Sequence, residues 1–339
     1  MRALWNAKYG GPEVLEVRES PDPEPAAGEV RIRVKAAGLN FSDISARQGL
    51  YPDAPKFPTV MGYEGSGVVD ALGSGVTSPK VGTRVAFVKR FGAQADTVCV
   101  AAAQALAIPD RMSFEEAAGL PVVYITAYHM IHRVAHVRSG ESVLIHMAAG
   151  GVGIAALQLC KAIGNVTTFG TASASKHDVI REHGCTHPID RHSQDYVEEV
   201  RRITNGRGVD VVLDPLGGKD WKKGFSLLPP VGRLVTFGFA NMSSGDKRNY
   251  FRVANQLLSV PLWSPLGLMD GNRTVAGVNI GHLWDEMHIL AEELGAILEL
   301  YEQGKIAPRI DGVYSFANAS EAHRRIQDGK NVGKIVLTP

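Results

Sequence analysis

The residues AAGGVG, at positions 148–153, follow the apolar stretch VLIHM and precede the amphipathic stretch IAALQLCKAIG. These flanking patterns predict a strand, a tight turn and a helix. Gly150 then permits the turn, and Gly153 lets the helix pack closely against the strand. The N–H groups of a helix N-terminus, where the helix dipole is positive, bind phosphate. We therefore expect a dinucleotide pyrophosphate, and not merely an ordinary glycine-rich turn, at Ala149, Gly150, Gly151, Val152 and Gly153.

Polar residues end the next predicted strand, in the stretch FGTASASKH. A site for NAD usually has a carboxylate there, about 20 residues past the glycines, which binds the ribose hydroxyls. This chain has Ser173, Ser175 and Lys176 instead, which bind a 2′-phosphate that a carboxylate repels. Arg191, after the following strand, adds a second cation. We therefore expect NADPH as the cofactor, although each cation is also compatible with a solvated surface charge.

The patterns around these motifs divide the chain in two. Up to about residue 122, short apolar runs such as VRIRVKAAGL and RVAFV alternate with Gly, Pro, Asp and Ser clusters, which is typical of a β-rich domain. From about residue 124, strand and helix patterns alternate, which predicts βαβ units on a parallel sheet. After Ala240 the sequence is less regular, until a strand-like TVAGVNIG and the helix MHILAEELGAILELYEQG, which Gly304 ends. The last residues return to strand patterns, and we expect them to fold back on the first domain.

The composition excludes several classes of protein. The chain has 339 residues, enough for two domains, and its 36 Lys and Arg against 35 Asp and Glu give no overall charge that attracts nucleic acid. Its three cysteines are too few and too widely spaced for a disulfide framework, and they suit a reducing cytosol. The start, MRALWNAKYGG, lacks the apolar core of a signal peptide. Residues 257–269 contain two prolines and are shorter than the roughly 20 residues of a spanning helix, so we expect a cytoplasmic protein.

Longer motifs carry a resemblance to a known family. They are GLNFSDISARQGLYP, GYEGSGVV, EEAAGLPVVYITAY, HMAAGGVG, FGTASASKH, THPID, DPLGG and KNVGK. In them the chain resembles the medium-chain dehydrogenase/reductases, in the quinone oxidoreductase branch and its group of synaptic vesicle membrane protein VAT-1 homologs. The resemblance implies an α/β fold with two domains. One is a β-rich GroES-like catalytic domain of residues 1–123 and 309–339, and the other is a Rossmann doubly wound parallel sheet of residues 124–308 that binds NADPH.

The resemblance also bears on metal chemistry. Zinc-dependent members place a Cys where Asn40 stands and a His where Tyr63 stands, with a further ligand downstream. A catalytic zinc site needs about three Cys, His or carboxylate ligands, and these two residues do not supply that set. His183, Cys185 and His187 form a local cluster, which we interpret as loop residues and not as a metal site. We therefore expect a zinc-independent protein.

The same resemblance implies an NADPH-dependent reductase that adds hydride to a quinone or to an activated, α,β-unsaturated carbonyl double bond. Without a metal the reaction depends on positioning and hydrogen bonding, which suffice for such substrates. Tyr51, in QGLYP, matches the tyrosine proposed as proton donor in the related enoyl-thioester reductases; alternatively it only lines the pocket. Asn40 and Asp43 either orient the substrate or hold their loop through local hydrogen bonds to the backbone.

The resemblance assigns further contacts to the cofactor. Thr126, in YITAY, matches a position near the nicotinamide ring, whereas Asn331 and Lys334, in KNVGK, match a terminal contact. The loops after two later strands of the parallel sheet also face the cofactor. The contacts expected there are Leu216, Phe237, Gly238 and Phe239.

Two other functions stay open. An enoyl-thioester reductase of lipid or polyketide metabolism has the same fold and the same tyrosine loop. A VAT-1-like membrane-associated or lipid-associated binding protein would use residues 257–269 to contact lipid, although we favour a buried dimer or pocket wall for that segment. The strand TVAGVNIG would pair with its counterpart across a two-fold axis, so we expect a homodimer.

Overall fold

The computed structural model describes residues 1–243 and 249–339, and over these it has sixteen β-strands and eleven α-helices. The strands are β1 (Arg2–Asn6), β2 (Leu15–Glu19), β3 (Glu29–Leu39), β4 (Thr59–Val60), β5 (Glu64–Leu72), β6 (Arg84–Val88), β7 (Thr97–Ala101), β8 (Ala105–Ala107), β9 (Ser142–Ile145), β10 (Thr167–Ala172), β11 (His187–Asp190), β12 (Val211–Asp214), β13 (Arg233–Thr236), β14 (Thr274–Gly277), β15 (Ile310–Ser315) and β16 (Lys334–Thr338). The helices are α1 (Phe41–Arg47), α2 (Phe114–Ala118), α3 (Pro121–Tyr128), α4 (Gly151–Ile163), α5 (His177–Glu182), α6 (Tyr196–Ile203), α7 (Lys219–Phe225), α8 (Tyr250–Leu258), α9 (Pro265–Gly271), α10 (Met287–Glu302) and α11 (Ala319–Gln327).

The described residues form two compact units. The first consists of Met1–Ile125 and Ile280–Pro339, and the second of Thr126–Ser243 and Asn249–Asn279. Residues 244–248, within the irregular stretch after Ala240, lie outside the described residues. The expected domain boundaries, residues 1–123 with 309–339 and residues 124–308, stay predictions.

The first unit contains two sheets. The larger has seven strands in the order β15-β16-β3-β5-β6-β8, and β7 also pairs with β3. Only the pair of β15 and β16 is parallel, and the C-terminal strand β16 lies antiparallel to β3. In the first half of β3 buried residues alternate with more exposed ones, so Val30, Ile32 and Val34 enter a core that also holds Phe87. Strands from both ends of the chain therefore build one sheet.

The second unit is a six-stranded, fully parallel sheet in the order β11-β10-β9-β12-β13-β14. Counted from β9, this is the order 3-2-1-4-5-6 of a Rossmann sheet, which confirms the predicted fold class. The residues of β9 and β12 are buried almost without interruption. This is expected in a parallel sheet, because helices cover both of its faces. The strand order reverses between β9 and β12, and such a switch point is where open α/β sheets bind ligands.

The helix α10 ends as its sequence predicts. Its last residue is Glu302, and Gly304 follows with a left-handed φ of 69°. The N–H of Gly304 donates to the carbonyl of Tyr301, and the N–H of Lys305 donates to that of Leu300. These bonds satisfy carbonyl groups at the helix end, and glycine adopts this conformation without steric cost.

Apolar side chains are exposed on and between α8 and α9. Phe251 is 85% exposed, Leu258 is 88% exposed and Leu262 is 98% exposed. In the ranges that the structure describes, no helix combines the length and the apolar character needed to cross a membrane. Exposed apolar side chains that lie close together along the chain are typical of a surface that contacts a partner.

A buried histidine lies in the first unit. His323, on α11, is fully buried, and neither ring nitrogen has a hydrogen-bond partner among the described residues. Burial, with repulsion from the nearby Arg47, lowers the pKa of His323 well below its usual 6.5. His323 is therefore neutral in the folded protein at neutral pH.

We predict that His323 makes the protein less stable in acid. Below its ordinary pKa of 6.5 the unfolded chain takes up a proton that the folded chain does not. Unfolding free energy should therefore fall by about 1.4 kcal/mol per pH unit as the pH drops, and this contribution should vanish in His323→Leu. Urea unfolding between about pH 5 and pH 7.5 measures the slope. His288→Leu, at an exposed histidine, is the control, and equal slopes in His323→Leu and wild type would contradict the prediction.

Candidate active site

The start of α1 is fixed by Asp43. Its Oδ2 accepts a hydrogen bond from the backbone N–H of Asn40 at 2.9 Å, and its Oδ1 accepts one from the N–H of Gly62 at 3.1 Å. Asp43 is fully buried, and burial raises its pKa to about 7. Both oxygens are engaged by backbone groups, so Asp43 joins the loop after β3 to the segment before β5. This geometry favours the structural interpretation of Asp43.

The side chain of Asn40 is held by two charged residues. Its Nδ2 donates to Oε1 of Glu64 at 2.8 Å, and its Oδ1 accepts from Nζ of Lys334 at 2.5 Å. Lys334 Nζ also lies 2.6 Å from Oε1 of Glu64. A lysine ammonium only donates, which fixes the orientation of the Asn40 amide. One N–H of that amide is left for a further acceptor.

Glu64 links this cluster to α3. Its Oε2 accepts from the backbone N–H of Val122, in the first turn of α3, at 2.6 Å. A Cβ atom on Gly38 would lie 2.5 Å from Oε1 of Glu64, so β3 needs a glycine there. Glu64 was not among the residues predicted from the sequence. The available signal was its carboxylate, which lies within the apolar pattern of the strand that begins in GYEG. A charge in a buried strand requires a partner, so this position could have been recognised as part of a polar cluster.

Lys334 was expected to contact the cofactor. Its side chain is only 4% exposed, and it is engaged with Glu64 and Asn40 in the first unit. The expected second member of that contact, Asn331, donates from Nδ2 to the carbonyl of Gly333 at 2.9 Å. The structure therefore brings Lys334 together with Asn40 and Glu64, and a cofactor contact for Lys334 or Asn331 stays a prediction.

Tyr51 lies against a second tyrosine. The rings of Tyr51 and Tyr63 pack edge to face with centroids 6.4 Å apart, and Phe91 packs on Tyr63 at 5.0 Å. Burial raises the pKa of both tyrosines, and the charge of Asp43 adds to the effect. Both phenols are therefore neutral at neutral pH, and Tyr51 retains an O–H to donate. Because Tyr63 follows Gly62, Asp43 positions this aromatic group as well as Asn40.

In the second unit, the glycine run forms the N-terminus of α4. Gly150 precedes the helix and has an extended backbone conformation, with φ of −78°. The residue of the turn with a left-handed backbone is Met147, with φ of 52°. Within the part of the chain that the structure describes, no acceptor takes the N–H groups of Gly151, Val152 and Gly153. A Cβ atom on Gly153 would lie 2.5 Å from the carbonyl oxygen of Met147. The turn therefore offers three unpaired donors beside a backbone that only glycine permits.

Two further loops meet where β12 and β13 end. The N–H of Ala240 donates to the carbonyl of Pro215 at 2.8 Å, and a Cβ atom on Gly217 would lie 2.8 Å from the ring of Phe239. Both strands end at the edge of the sheet that carries the glycine turn, because the sheet is parallel. The expected contacts that the structure brings together here are Leu216, Phe237, Gly238 and Phe239.

The residues expected to bind a 2′-phosphate lie at the ends of β10 and β11. Ala172 and Asp190 are paired in register, so Ser173 and Arg191 follow adjacent strands. His192 lies between them: its Nε2 is 3.3 Å from Oγ of Ser173 and accepts from Nε of Arg191 at 3.2 Å. His192 was not predicted from the sequence, although its position next to Arg191, after a strand, was an available signal. Lys176 belongs to the same loop, in the turn just before α5.

The remaining expected residues are Thr126 and the His183, Cys185 and His187 cluster. Thr126 lies in α3, and its contact with the nicotinamide ring stays a prediction. His183 contacts Gln158, and His187 packs on Phe169, so two members of the His183, Cys185 and His187 cluster have other partners. Among the residues described, no three His, Cys, Asp or Glu side chains are grouped so as to hold a metal ion.

Comparisons with known proteins agree with this geometry. The model of the alcohol dehydrogenase GroES-like domain matches residues 26–110, and that of zinc-binding dehydrogenase matches residues 183–337. The chain is 49% identical over 338 residues to the synaptic vesicle membrane protein VAT-1 homolog of Danio rerio, covering 99% of this chain and 70% of that protein. It is 35% identical over 335 residues to a quinone oxidoreductase of Pseudomonas aeruginosa, covering 98% of each. The structure of Escherichia coli quinone oxidoreductase complexed with NADPH has a TM-score of 0.87 at 29% identity and covers 100% of both chains.

The fold, the glycine turn and these similarities define a medium-chain dehydrogenase/reductase, a family of oxidoreductases, and the chain belongs to it. Within that family it belongs with the quinone oxidoreductases and the VAT-1 homologs. The predicted family is thereby confirmed. The zinc in the name of one family model describes that model, and zinc independence of this chain stays a prediction.

We predict that Gly153→Ala destabilises the second unit. The new Cβ would lie 2.5 Å from the carbonyl oxygen of Met147 and 2.6 Å from Cα of Ala148, both on the backbone. The overlap should cost about 1–3 kcal/mol of unfolding free energy. Gly295→Ala is the matched control, since it also lies in a helix but has open space around it, and it should stabilise by about 0.5–1 kcal/mol. Urea unfolding compares the two, and a gain in stability at both positions would refute the close contact.

Proposed function

We propose that the chain is an NADPH-dependent reductase that transfers hydride, without zinc, to a quinone or to an activated, α,β-unsaturated carbonyl double bond. The observation that carries this proposal is the N-terminus of α4, where three N–H groups have no acceptor among the described residues. The membership of the quinone oxidoreductase branch supports the same reaction. One of these relatives is named as a complex with NADPH, and we extend that cofactor to this chain.

The residues present fit a dinucleotide. The space beside Gly153 is one that a Cβ atom would fill. The N-terminus of α4 at the same place provides N–H donors for a pyrophosphate. Ser173, Lys176 and Arg191 would bind the 2′-phosphate, and we add His192 because it contacts both Ser173 and Arg191. When bound, NADPH would supply the hydride.

In the first unit we propose that Tyr51 donates a proton and that Asn40 binds the substrate oxygen. Tyr51 is neutral and partly buried, so its O–H is available to a substrate oxygen that gains negative charge. The Asn40 amide is fixed by Lys334 and Glu64, so its remaining N–H is preorganised for the same oxygen. Asp43 holds the backbone of Asn40 and of Gly62, the residue before Tyr63, and acts by positioning.

The proposed independence from zinc follows from the environment of Asn40. This residue stands where zinc-dependent members have a cysteine, and here the ammonium of Lys334 lies 2.5 Å from its Oδ1. A cation is thus already present at that amide, and a second cation beside it would be repelled. The ammonium is engaged by Glu64 as well, so it acts as a structural charge and not as a Lewis acid.

We also propose that the protein is a cytoplasmic homodimer. Within the described residues, β14 pairs only with β13, so its other edge is open to a strand of a second copy. The exposed apolar residues of α8 and α9 precede this strand in the chain and would be covered in a dimer. Light scattering on the pure protein tests this, and a monomer would contradict it.

A second candidate function rests on those apolar residues. Leu262 is 98% exposed and Leu258 is 88% exposed, which a membrane-associated protein would use to contact lipid. The VAT-1 homologs are named for a vesicle membrane, which motivates this alternative. Flotation with anionic liposomes separates the two functions, because protein that stays in the soluble fraction would argue against the membrane role.

We predict that NADPH binds much more tightly than NADH and is oxidised by small quinones or enones. Fluorescence titration of both cofactors measures the preference, and Lys176→Met should weaken NADPH binding about tenfold while leaving NADH unchanged. Lys161→Met, at an exposed lysine of α4, is the control. No binding of either cofactor would refute the proposal. Faster turnover of coenzyme A thioesters than of free enones would support the enoyl-thioester reductase instead.

We predict that Tyr51→Phe lowers kcat on an enone by about 100-fold, because the variant lacks the proposed proton donor, with little change in NADPH affinity. Tyr63→Phe removes the same oxygen from the ring that packs against Tyr51 and is the matched control. Steady-state kinetics at saturating NADPH measures both. Equal, small effects in the two variants would assign Tyr51 to lining the pocket.

A further inference from the structure

Three buried polar residues lie beneath the glycine turn of the second unit. His146 follows β9, Thr171 lies in β10 and Asp214 ends β12, and they are 1%, 6% and 0% exposed. Strands β9 and β12 are the two neighbours at which the order of the sheet reverses. The three residues therefore lie at the switch point of the sheet, where a nucleotide binds in folds of this kind.

Thr171 holds the beginning of the glycine turn. Its Oγ1 accepts from the backbone N–H of Met147 at 3.3 Å, and its carbonyl accepts from the N–H of Ala148 at 3.0 Å. Its hydroxyl has one hydrogen, and Nδ1 of His146 lies 3.1 Å from the oxygen. We assign the hydroxyl hydrogen to the contact with Nδ1, because the oxygen already accepts from Met147 and a hydroxyl can donate as well as accept. Met147 needs this support, since its φ of 52° is strained for a side chain of its kind.

This arrangement determines the tautomer of His146. A neutral imidazole carries one hydrogen, and Nδ1 accepts from Thr171, so the hydrogen is on Nε2. Nε2 lies 4.0 Å from Oδ2 of Asp214, and within the described chain neither atom has a hydrogen-bond partner. The imidazole N–H and the carboxylate oxygen thus face each other beyond hydrogen-bond distance.

Asp214 holds the loop on the other side of the switch point. Its Oδ1 accepts from the backbone N–H groups of Leu216 at 2.6 Å and Gly217 at 3.4 Å. Leu216 is one of the expected cofactor contacts. The buried group thus supports two loops at once: the glycine turn through Thr171 and the loop after β12 through Asp214.

We infer that Thr171, His146 and Asp214 are positioning residues for the dinucleotide, which fix the two loops at the switch point and carry a single negative charge below them. This inference rests on the proposed function, because it concerns the same cofactor site. None of the three side chains needs to touch the cofactor. Their effect passes through the backbone of Met147 and of Leu216.

The charge of this group predicts a linkage between protons and cofactor. Burial lowers the pKa of His146 and raises that of Asp214, so both pKa values move toward each other. The ring of Tyr196 packs edge to face on the imidazole, and the charges of Asp220 and Lys223 also act on the pKa of His146. A pyrophosphate at the N-terminus of α4 adds negative charge above the pair and favours the protonated form. Cofactor binding should therefore take up part of a proton, and affinity should rise as the pH falls.

Thr171→Val tests the positioning role. Valine keeps the shape and removes the hydroxyl, so both NADPH and NADH should bind about tenfold more weakly, because the glycine turn serves the pyrophosphate that they share. The turnover number at saturating NADPH should stay within about twofold, and Thr171→Ser should restore binding.

Thr168→Val is the matched control on the same strand. The hydroxyl of Thr168 is also buried, accepts from a backbone N–H, that of Thr186, and donates to the carbonyl of Gly184. It lies away from the switch point, toward the start of β10. The two valine variants should lose similar stability in urea, and only Thr171→Val should lose cofactor affinity. Equal affinity in both would overturn the inference and leave the proposed function intact, whereas no binding by wild type would overturn the proposed function itself.

Asp214→Asn gives a second test. It measures proton uptake on cofactor binding, which a merely structural role of Asp214 would not affect. Calorimetric titration in two buffers of different ionisation enthalpy measures the protons taken up on binding. NADH is the probe, because it lacks the 2′-phosphate, which also titrates near neutral pH. Wild type and Thr168→Val should take up protons, and Asp214→Asn should not. Proton uptake that persists in Asp214→Asn would assign the linkage to another group and contradict the inference.

Discussion

A charged lysine in a protein interior must be surrounded by oxygen atoms, and the first unit is arranged to satisfy Lys334. Burying an ammonium without a partner costs several kcal/mol, and here Glu64 and Asn40 provide oxygens at 2.6 and 2.5 Å. To deliver them, β16 must return beside β3, and β3 must carry a glycine at position 38 to leave room for the carboxylate. The second oxygen of Glu64 then anchors the first turn of α3. One ion pair thus joins the C-terminal strand, the start of α1 and the start of α3.

The second unit is under a different constraint. The backbone N–H groups at the N-terminus of α4 must stay unpaired so that they can bind a ligand. A parallel sheet that reverses its order leaves two loops without neighbours at the switch point, and something other than sheet bonding has to hold them. Here a threonine hydroxyl and a carboxylate bond to the backbone of those loops, so the helix N–H groups stay available. Buried residues that bond to backbone can support such a site without occupying it.

Much of this architecture was predictable from local sequence patterns. Alternating strand and helix patterns gave the Rossmann sheet, and the glycine turn and the end of α10 at Gly304 were identified from residue type and spacing. The partners of Lys334 were not predictable in this way, because Asn40 and Glu64 lie 294 and 270 residues away in the chain. Glycine was expected to provide the conformational freedom of the turn, whereas Met147 adopts the left-handed backbone. Thr171 supplies a bond that offsets this strain, and no local pattern encodes that bond.

The state of Lys334 also limits the chemistry that we propose. A metal with an open coordination position can polarise a substrate oxygen, whereas an ammonium engaged by Glu64 and Asn40 has little left to offer a third oxygen. In the proposed site, the donors that remain among the described residues are one N–H of Asn40 and the hydroxyl of Tyr51, and both are neutral. Neutral donors suffice for an oxygen whose negative charge is shared with a conjugated system, as in the reduction of a quinone or an enone. An isolated ketone would place the whole charge on one oxygen, and we therefore expect it to be the poorer substrate for the proposed reaction.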